Sequence, residues 1–299
     1  MIHTSTKPQT GRHGAALQGR MSALMLALAG ALLTPSLPAA QASAQTETRV
    51  APKARVKLGE FATRHLRLSR VKDAAERRLP AVEASFDAAG AAWPPRGVFI
   101  RGFKTEGQVE LWAATEDRDD AWVLVRSFPV CARSGELGPK RHQGDLQVPE
   151  GFYTLSLFNP YSDFHLSLGV SYPNAADRFH SRGTAPGNAI MVHGNCVTIG
   201  CLPLQDGPIE DLYLAALMAR DAGQKTIPIH LFPCRLDEAG CQDRLTKAAT
   251  DRPELAAFWA GLRPGYDAFA ATGTPPTVRA GRDGSYTLVA SARSQARVH

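Results

Sequence analysis

The sequence predicts a β-rich α+β fold with a helix before it and a helical extension after it. Three observations carry this. Short runs rich in β-branched and aromatic residues, from "GVFIRGFK" onward, are separated by glycine, proline, asparagine and aspartate. Three other segments place apolar residues at three- and four-residue steps, the period of an amphipathic helix. No internal repeat divides the chain into copies of one unit. The 299 residues leave room for one large or two small domains, and the charged and apolar fractions are ordinary for a soluble protein.

The elements follow in order. Lys7, Arg12 and Arg20 precede the apolar run "MSALMLALAGALL", too short to span a hydrocarbon layer of about 30 Å as a helix. Pro35, Pro38 and then Ala42-Ser43-Ala44 complete the order of a secretory signal peptide. Residues 1–44 are therefore expected to direct export to the periplasm and be removed; left uncleaved, they would be a membrane anchor. Residues 45–95 read as a linker and then a helix from Leu66 to Ala89, carried by Leu68, Val71, Ala75, Leu79, Val82 and Phe86. Pro80 is expected to break or kink it.

Residues 96–235 hold the strands: "GVFIRGFK", "QVELWAA", "AWVLVRSFPV", "GFYTLSLF", "FHLSLGV", "AIMVH" and "TIPIHLF". Before the last of these comes a helix, Asp206–Gly223, with one apolar stripe of Ile209, Leu212, Tyr213, Ala216 and Leu217. Asp206 or Gly207 suits its cap, Pro208 its first turn and Gly223 its end. In residues 236–299, "RPELAAFWAGLRPGYDAF" is a second amphipathic helix, and the remainder reads as a loop-rich tail.

Charge bounds the partners. The chain carries 34 basic and 28 acidic residues, a net +6. Removing residues 1–44 takes three basic residues and no acid, leaving 31 against 28, or +3. That is too little for a nucleic-acid partner, and no basic and aromatic interleaving supports one. The five cysteines are Cys131, Cys196, Cys201, Cys234 and Cys241. In an oxidising compartment five cannot all pair internally, so at least one stays free. Cys234 and Cys241 flank a short loop that a disulfide would close; sequence leaves the connectivity open.

The stretch "MVHGNCVTIGC", Met191 to Cys201, concentrates the chemistry. His193, Cys196 and Cys201 are three ligands for zinc, which needs four, or three and water. Cys196 and Cys201 are also a possible disulfide, and His193 beside buried thiols is also an ordinary core arrangement. A nucleophile with its base explains more. A cysteine attacks as thiolate, and a nearby basic group or helix N-terminus lowers its pKa. Cys201 follows Gly200, where backbone can approach a substrate closely. The amides around Ile199, Gly200 and Cys201 are the candidate oxyanion hole. His193, ending a strand, is the candidate base, with its imidazole expected within about 4 Å of the sulfur. Cys196 reads as a buried, unreactive thiol. His142, His165, His180 and His230 read as structural or surface residues. "LGPKRHQGDLQVPEG", Leu137–Gly151, is either a wall of the cleft or a connector.

"HGNCVTIGC" followed by "LPLQDGPIEDLY" resembles the signature of the L,D-transpeptidase catalytic domain of YkuD type, and within it the murein-acting YafK-like subgroup. "FPVCARSGELGPKRHQGDLQVPEGFYTL", "NPYSDFHLSLGVSYPNAADR" and "GLRPGYDAF" extend the resemblance over roughly Gly97 to Val278. It implies a cysteine acyltransferase acting on peptidoglycan stem peptides, with no cofactor and no metal. By the resemblance Cys201 is the nucleophile and His193 its proton donor and acceptor. Gly194 supplies the carbonyl orienting the other ring nitrogen, and Gly200 shapes the oxyanion region. Thr198 falls at a turn-shaping, substrate-side position. Two departures stand out. Ile199 replaces a histidine found in many members, and Leu202-Pro203 follows the nucleophile where many have an arginine. Arg178 and Arg182 are the candidates to stand in for that arginine. The departures favour hydrolysis over cross-linking and point to an alternative: an endopeptidase or amidase cutting a diaminopimelate-linked peptide, such as a murein–lipoprotein bond. A non-catalytic murein-binding protein is a further alternative, although a pure binder has no need of the His193–Cys201 pair. Oligomeric state is not legible.

Overall fold

Two short hairpins set up the sheet on which the rest is built. In a computed structural model describing residues 57–118 and 120–290, β1 (Val98–Phe103) pairs antiparallel with β2 (Gln108–Ala114), and β2 with β3 (Trp122–Pro129). The expected signal peptide and most of the expected linker lie outside the described residues, as does the end of the tail. The remaining strands are β4 (Gly151–Asn159), β5 (Ser167–Val170), β6 (Met191–His193), β7 (Leu202–Pro203) and β8 (Pro228–Phe232). They complete one eight-stranded sheet in the order β3-β2-β1-β8-β4-β5-β6-β7. Late strand β8 thus enters the middle of the sheet, parallel to β1 and antiparallel to β4.

Both faces of the centre are covered. Alternate residues of a strand point to opposite sides. In β8, Ile229 and Leu231 join the main core, while His230 and Phe232 face Phe152 on the other side. The main core is closed by α1 (Glu60–His65), α2 (Ser69–Ala89) and α4 (Asp206–Asp221). Helix α4 is buried on all sides from Ile209 to Ala219, not along one stripe as the sequence pattern suggested. Its two buried acids explain why. Glu210 pairs with Arg77 at 2.5 Å, and Asp211 with Arg78 and Arg126 at 2.7 and 2.6 Å. These charges off the apolar stripe are neutralised by the N-terminal helix and β3.

The expected helix Leu66–Ala89 is α2, starting at Ser69 and continuing through Pro80, and a further short helix, α1, precedes it where linker was expected. Pro80 is exposed, so solvent satisfies the carbonyl one turn back whose donor the ring removes. Gly90, in left-handed conformation at φ 69°, ends α2. Beyond β8, the second core cluster holds α5 (Ala239–Ala249) and α6 (Pro253–Thr272). The Cys234–Cys241 disulfide crosses the expected boundary at residue 235, and Trp259 of α6 donates a buried hydrogen bond to Glu150 at 2.7 Å. The tail is not merely loop: β9 (Thr277–Ala280) and β10 (Tyr286–Val289) form a hairpin. Tyr286 packs edge-on against Phe152 and pairs with Asn174, contacts distant in sequence and so invisible to local pattern. A short helix, α3 (Ala175–His180), begins at an Asn174–Asp177 capping box. No helix among the described residues is long and apolar enough to cross a membrane.

Candidate active site

The site grows from the far edge of the sheet. Strand β6 runs antiparallel to β5 and parallel to β7. Val192 pairs with Leu202 and His193 with Pro203, so Cys201 continues the register beside Met191. Met191 and His193 project to one face, and by that register Cys201 lies on the same face, two residues along and one strand across.

His193 is 2% exposed. Its ring lies against Phe164 at 4.8 Å between centroids. Nδ1 is 2.6 Å from the Gly194 carbonyl oxygen. A carbonyl only accepts, so Nδ1 carries the proton and Nε2 keeps a lone pair. Burial holds the His193 pKa below the usual imidazole value, partly opposed by the Gly194 carbonyl. The resting ring is the neutral, basic form.

Cys201 is half-buried, and it is the free cysteine. Its sulfur accepts a hydrogen bond from the Met191 amide at 3.4 Å and lies 3.7 Å from the Ala189 carbonyl. Among the described residues no hydrogen bond joins the thiol to the imidazole. Burial pushes the Cys201 pKa up, opposed by the Met191 amide and the charge of Lys140. The sequence-based expectation of a lowered pKa is therefore reversed. Strand β7 stands between the thiol and helix α4, and desolvation dominates.

The turn is held from within. Thr198 Oγ1 donates to the Cys201 carbonyl at 2.8 Å and accepts from the Gly200 amide at 3.2 Å. Thr198 therefore braces the turn, in keeping with its expected turn-shaping position. The Gly200 amide is thereby bonded within the turn. At φ 131°, a Cβ added to Gly200 would sit 2.9 Å from the Gln147 carbonyl oxygen. Glycine there lets the loop Leu137–Gly151 close on the nucleophile turn. That loop is a wall and not a bare connector, because Leu137 and Val148 line a cavity of about 180 Å³ with Cys201. Asp145 ties the loop together, accepting from the amides of Arg141, His142 and Gln147 and from Lys140 at 2.6 Å.

Cys196 is exposed and bonded to Cys131, not a buried thiol. With Cys234 bonded to Cys241, four of the five thiols are spent in bridges, so the zinc reading loses its ligands. The bridge fastens the loop between His193 and Cys201 to the chain after β3. Asp206, expected as a helix cap, accepts instead from the Asn195 amide at 2.9 Å and fixes the same loop from the other side. Arg178, exposed on α3, lines a separate, open depression of about 700 Å³ that reaches Asn188, next to Ala189. Arg182 is exposed and does not line it.

Sequence reasoning passed over Cys131, Lys140, Phe164, Asp206 and Ser167. Ser167 faces His193 across the β5–β6 pair with a buried hydroxyl that has no hydrogen-bond partner among the described residues. The pairing could have been anticipated only from the strand register.

No family model matches the chain. Among characterised sequences, the chain is 33% identical over 183 residues to proteins of Escherichia coli K12 and O157:H7 named "Putative L,D-transpeptidase YafK". The match covers 60% of this chain and 70% of each relative. Among solved structures, it is similar to the helical cell shape determining protein Pgp2 of Campylobacter jejuni, at 17% identity and TM-score 0.37. That similarity covers 61% of this chain and 72% of Pgp2. A mutant form of Pgp2 aligns at 22% identity and the same TM-score over 46% of this chain and 47% of its own.

Proposed function

Because the chain belongs to the L,D-transpeptidase family, we propose that it is an exported cysteine acyltransferase acting on peptidoglycan stem peptides through a thioester on Cys201. One observation carries the proposal. The free thiol lies on the same sheet face as a buried imidazole whose Nδ1 is locked on a carbonyl and whose Nε2 is left basic.

With both groups neutral at rest, the proton moves during attack. Sulfur bonds to the substrate carbonyl carbon while His193 Nε2 takes the thiol proton. The oxyanion falls to the amides of Ile199 and Cys201, since that of Gly200 is committed. The tetrahedral adduct collapses as the carbon–nitrogen bond breaks, and the imidazolium returns its proton to the leaving amine. The thioester then passes to an amine, giving transfer, or to water, giving hydrolysis. Ile199 is 78% exposed beside the nucleophile, and no arginine follows Cys201. The turn therefore offers an incoming amine no charged or imidazole contact, which favours the hydrolytic branch, for instance on a diaminopimelate-linked peptide.

Intact-mass spectrometry after incubation with purified muropeptides tests this. The expected result is an acyl adduct on Cys201, absent in Cys201→Ala, with shortened peptides as products. Cross-linked products would select transfer. Turnover retained in Cys201→Ala would end the proposal. Export is tested separately: N-terminal sequencing of the periplasmic fraction should begin at Gln45.

A further inference from the structure

The cavity beside Cys201 carries a cation that acyl transfer does not use. The chain leaving β3 is anchored in three ways. Val130 donates to the Gly107 carbonyl at 2.8 Å, Cys131 donates to that of Pro203 at 3.0 Å, and Cys131 is bridged to Cys196. Arg133 follows. Its Nη1 donates to the Thr105 carbonyl and its Nη2 to that of Glu106, each at 3.0 Å. The guanidinium lies flat across Gly107, where any Cβ would collide with it.

This arrangement orients a charge without neutralising it. Two of the five guanidinium N–H groups are used, both by carbonyls, and no carboxylate of the described residues pairs with the group. The other cation of the wall, Lys104, is already neutralised, with Nζ 3.0 Å from the buried Glu150 carboxylate. The neighbouring Ser134 hydroxyl is buried with no hydrogen-bond partner among the described residues. Arg133, Ser134 and Cys201 line the same cavity of about 180 Å³.

We propose that Arg133, with Ser134, binds a free carboxylate of the peptide substrate next to the bond that Cys201 attacks, and so selects substrates bearing one. The proposal rests on the reading of Cys201 as nucleophile. A carboxylate is the planar two-oxygen anion that a held guanidinium fork matches. Glu136, exposed on the same wall, is the opposing charge that a bound anion meets.

The test compares two synthetic stem peptides, identical but for a free carboxylate or a carboxamide at the position flanking the scissile bond. Binding is measured by calorimetry in the Cys201→Ala background, which separates this inference from the chemistry. Arg133→Gln should weaken the carboxylate peptide about 10- to 100-fold, the span of one charged hydrogen-bonded contact, and leave the carboxamide peptide within about 2-fold. Arg133→Lys should recover part of the loss, and Glu136→Gln should tighten the carboxylate peptide. Equal losses on both peptides, or none on either, would overturn the proposal. If turnover persists in Cys201→Ala while the carboxylate preference is still abolished by Arg133→Gln, the nucleophile assignment fails and the subsite stands.

Discussion

Replacing both Cys131 and Cys196 by serine removes the bridge that fastens the nucleophile loop, and its cost can be worked from the chain. The two residues are separated by 65 positions, and Cys234 and Cys241 by 7. The loop-closure relation gives about 4.3 kcal/mol for the long bridge and about 2.4 kcal/mol for the short one. The loops do not overlap in sequence, so each measures its own term. Urea unfolding of the two double variants should therefore place Cys131→Ser/Cys196→Ser below Cys234→Ser/Cys241→Ser by about 2 kcal/mol. The long bridge also positions chemistry, since it joins the loop of Asn195 and Cys196 to the segment carrying Arg133. Displacing a reacting group by about 1 Å costs on the order of a hundredfold in rate, so acylation of Cys201 should fall by about 10- to 100-fold in that variant. Acylation should hold in the other. A long-bridge variant no less stable than the short-bridge one, with unchanged acylation, would refute the reasoning.

Three further outcomes are expected. Because burial lowers the His193 pKa, the active neutral imidazole persists into more acidic solution, and the acid limb of kcat/KM should fall below pH 6.5; a midpoint at or above that value refutes the neutral-base assignment. Gly200→Ala, with its Cβ forced against Gln147 at positive φ, should cost about 1–3 kcal/mol in thermal or urea unfolding and slow acylation; an unaffected protein would mean the loop does not close on the turn. His230, buried among Phe99, Phe152 and Phe232 and held down to about 3, gives stability that is complete above pH 6.5 and declines as pH falls towards 3. Asp177, raised by burial to about 6, acts oppositely, its folded form keeping a proton between pH 3.8 and about 6 that the unfolded chain has released. His230→Leu should therefore expose stability that falls as pH rises from 4 to 6, and a rising curve would refute the pairing.

What the sequence shows of this protein is divided by distance along the chain. The strand ending on His193 and the tight turn before Cys201 are local patterns, and the structure contains both. The Nδ1 contact to Gly194 is also local, one residue away. Cys196 misleads because its partner is 65 positions distant, and nothing in "HGNCVTIG" encodes that contact. The same holds for α4: its acids look solvent-facing until Arg77, Arg78 and Arg126 are brought over from other elements. Asp206 has the composition of a cap but finds a better donor in the Asn195 amide, which the helix start alone does not reveal. Tyr286 makes a strand of a segment whose local composition suggests loop, because Phe152 and Asn174 receive it.

The direction of the Cys201 shift bears on how a reactive thiol coexists with two disulfides. Thiolate is the species that attacks a disulfide, and its concentration falls tenfold for each pKa unit gained. Cys201 lies five residues from Cys196 in the same loop, and the Cys131–Cys196 bridge is exposed at its Cys196 end. A thiol with a raised pKa carries less thiolate to exchange with that bridge. Burial raises the Cys201 pKa, and the Met191 amide and Lys140 only partly oppose it. In the proposed mechanism a protonated sulfur is a weak nucleophile, and His193 offsets this by taking the proton as the carbonyl carbon arrives. The lowered His193 pKa and the raised Cys201 pKa share one leading cause, burial at the sheet edge where Phe164 lies against the imidazole. In the proposed mechanism a neutral pair that ionises during attack reconciles a nucleophile and a disulfide in one eleven-residue stretch, "MVHGNCVTIGC".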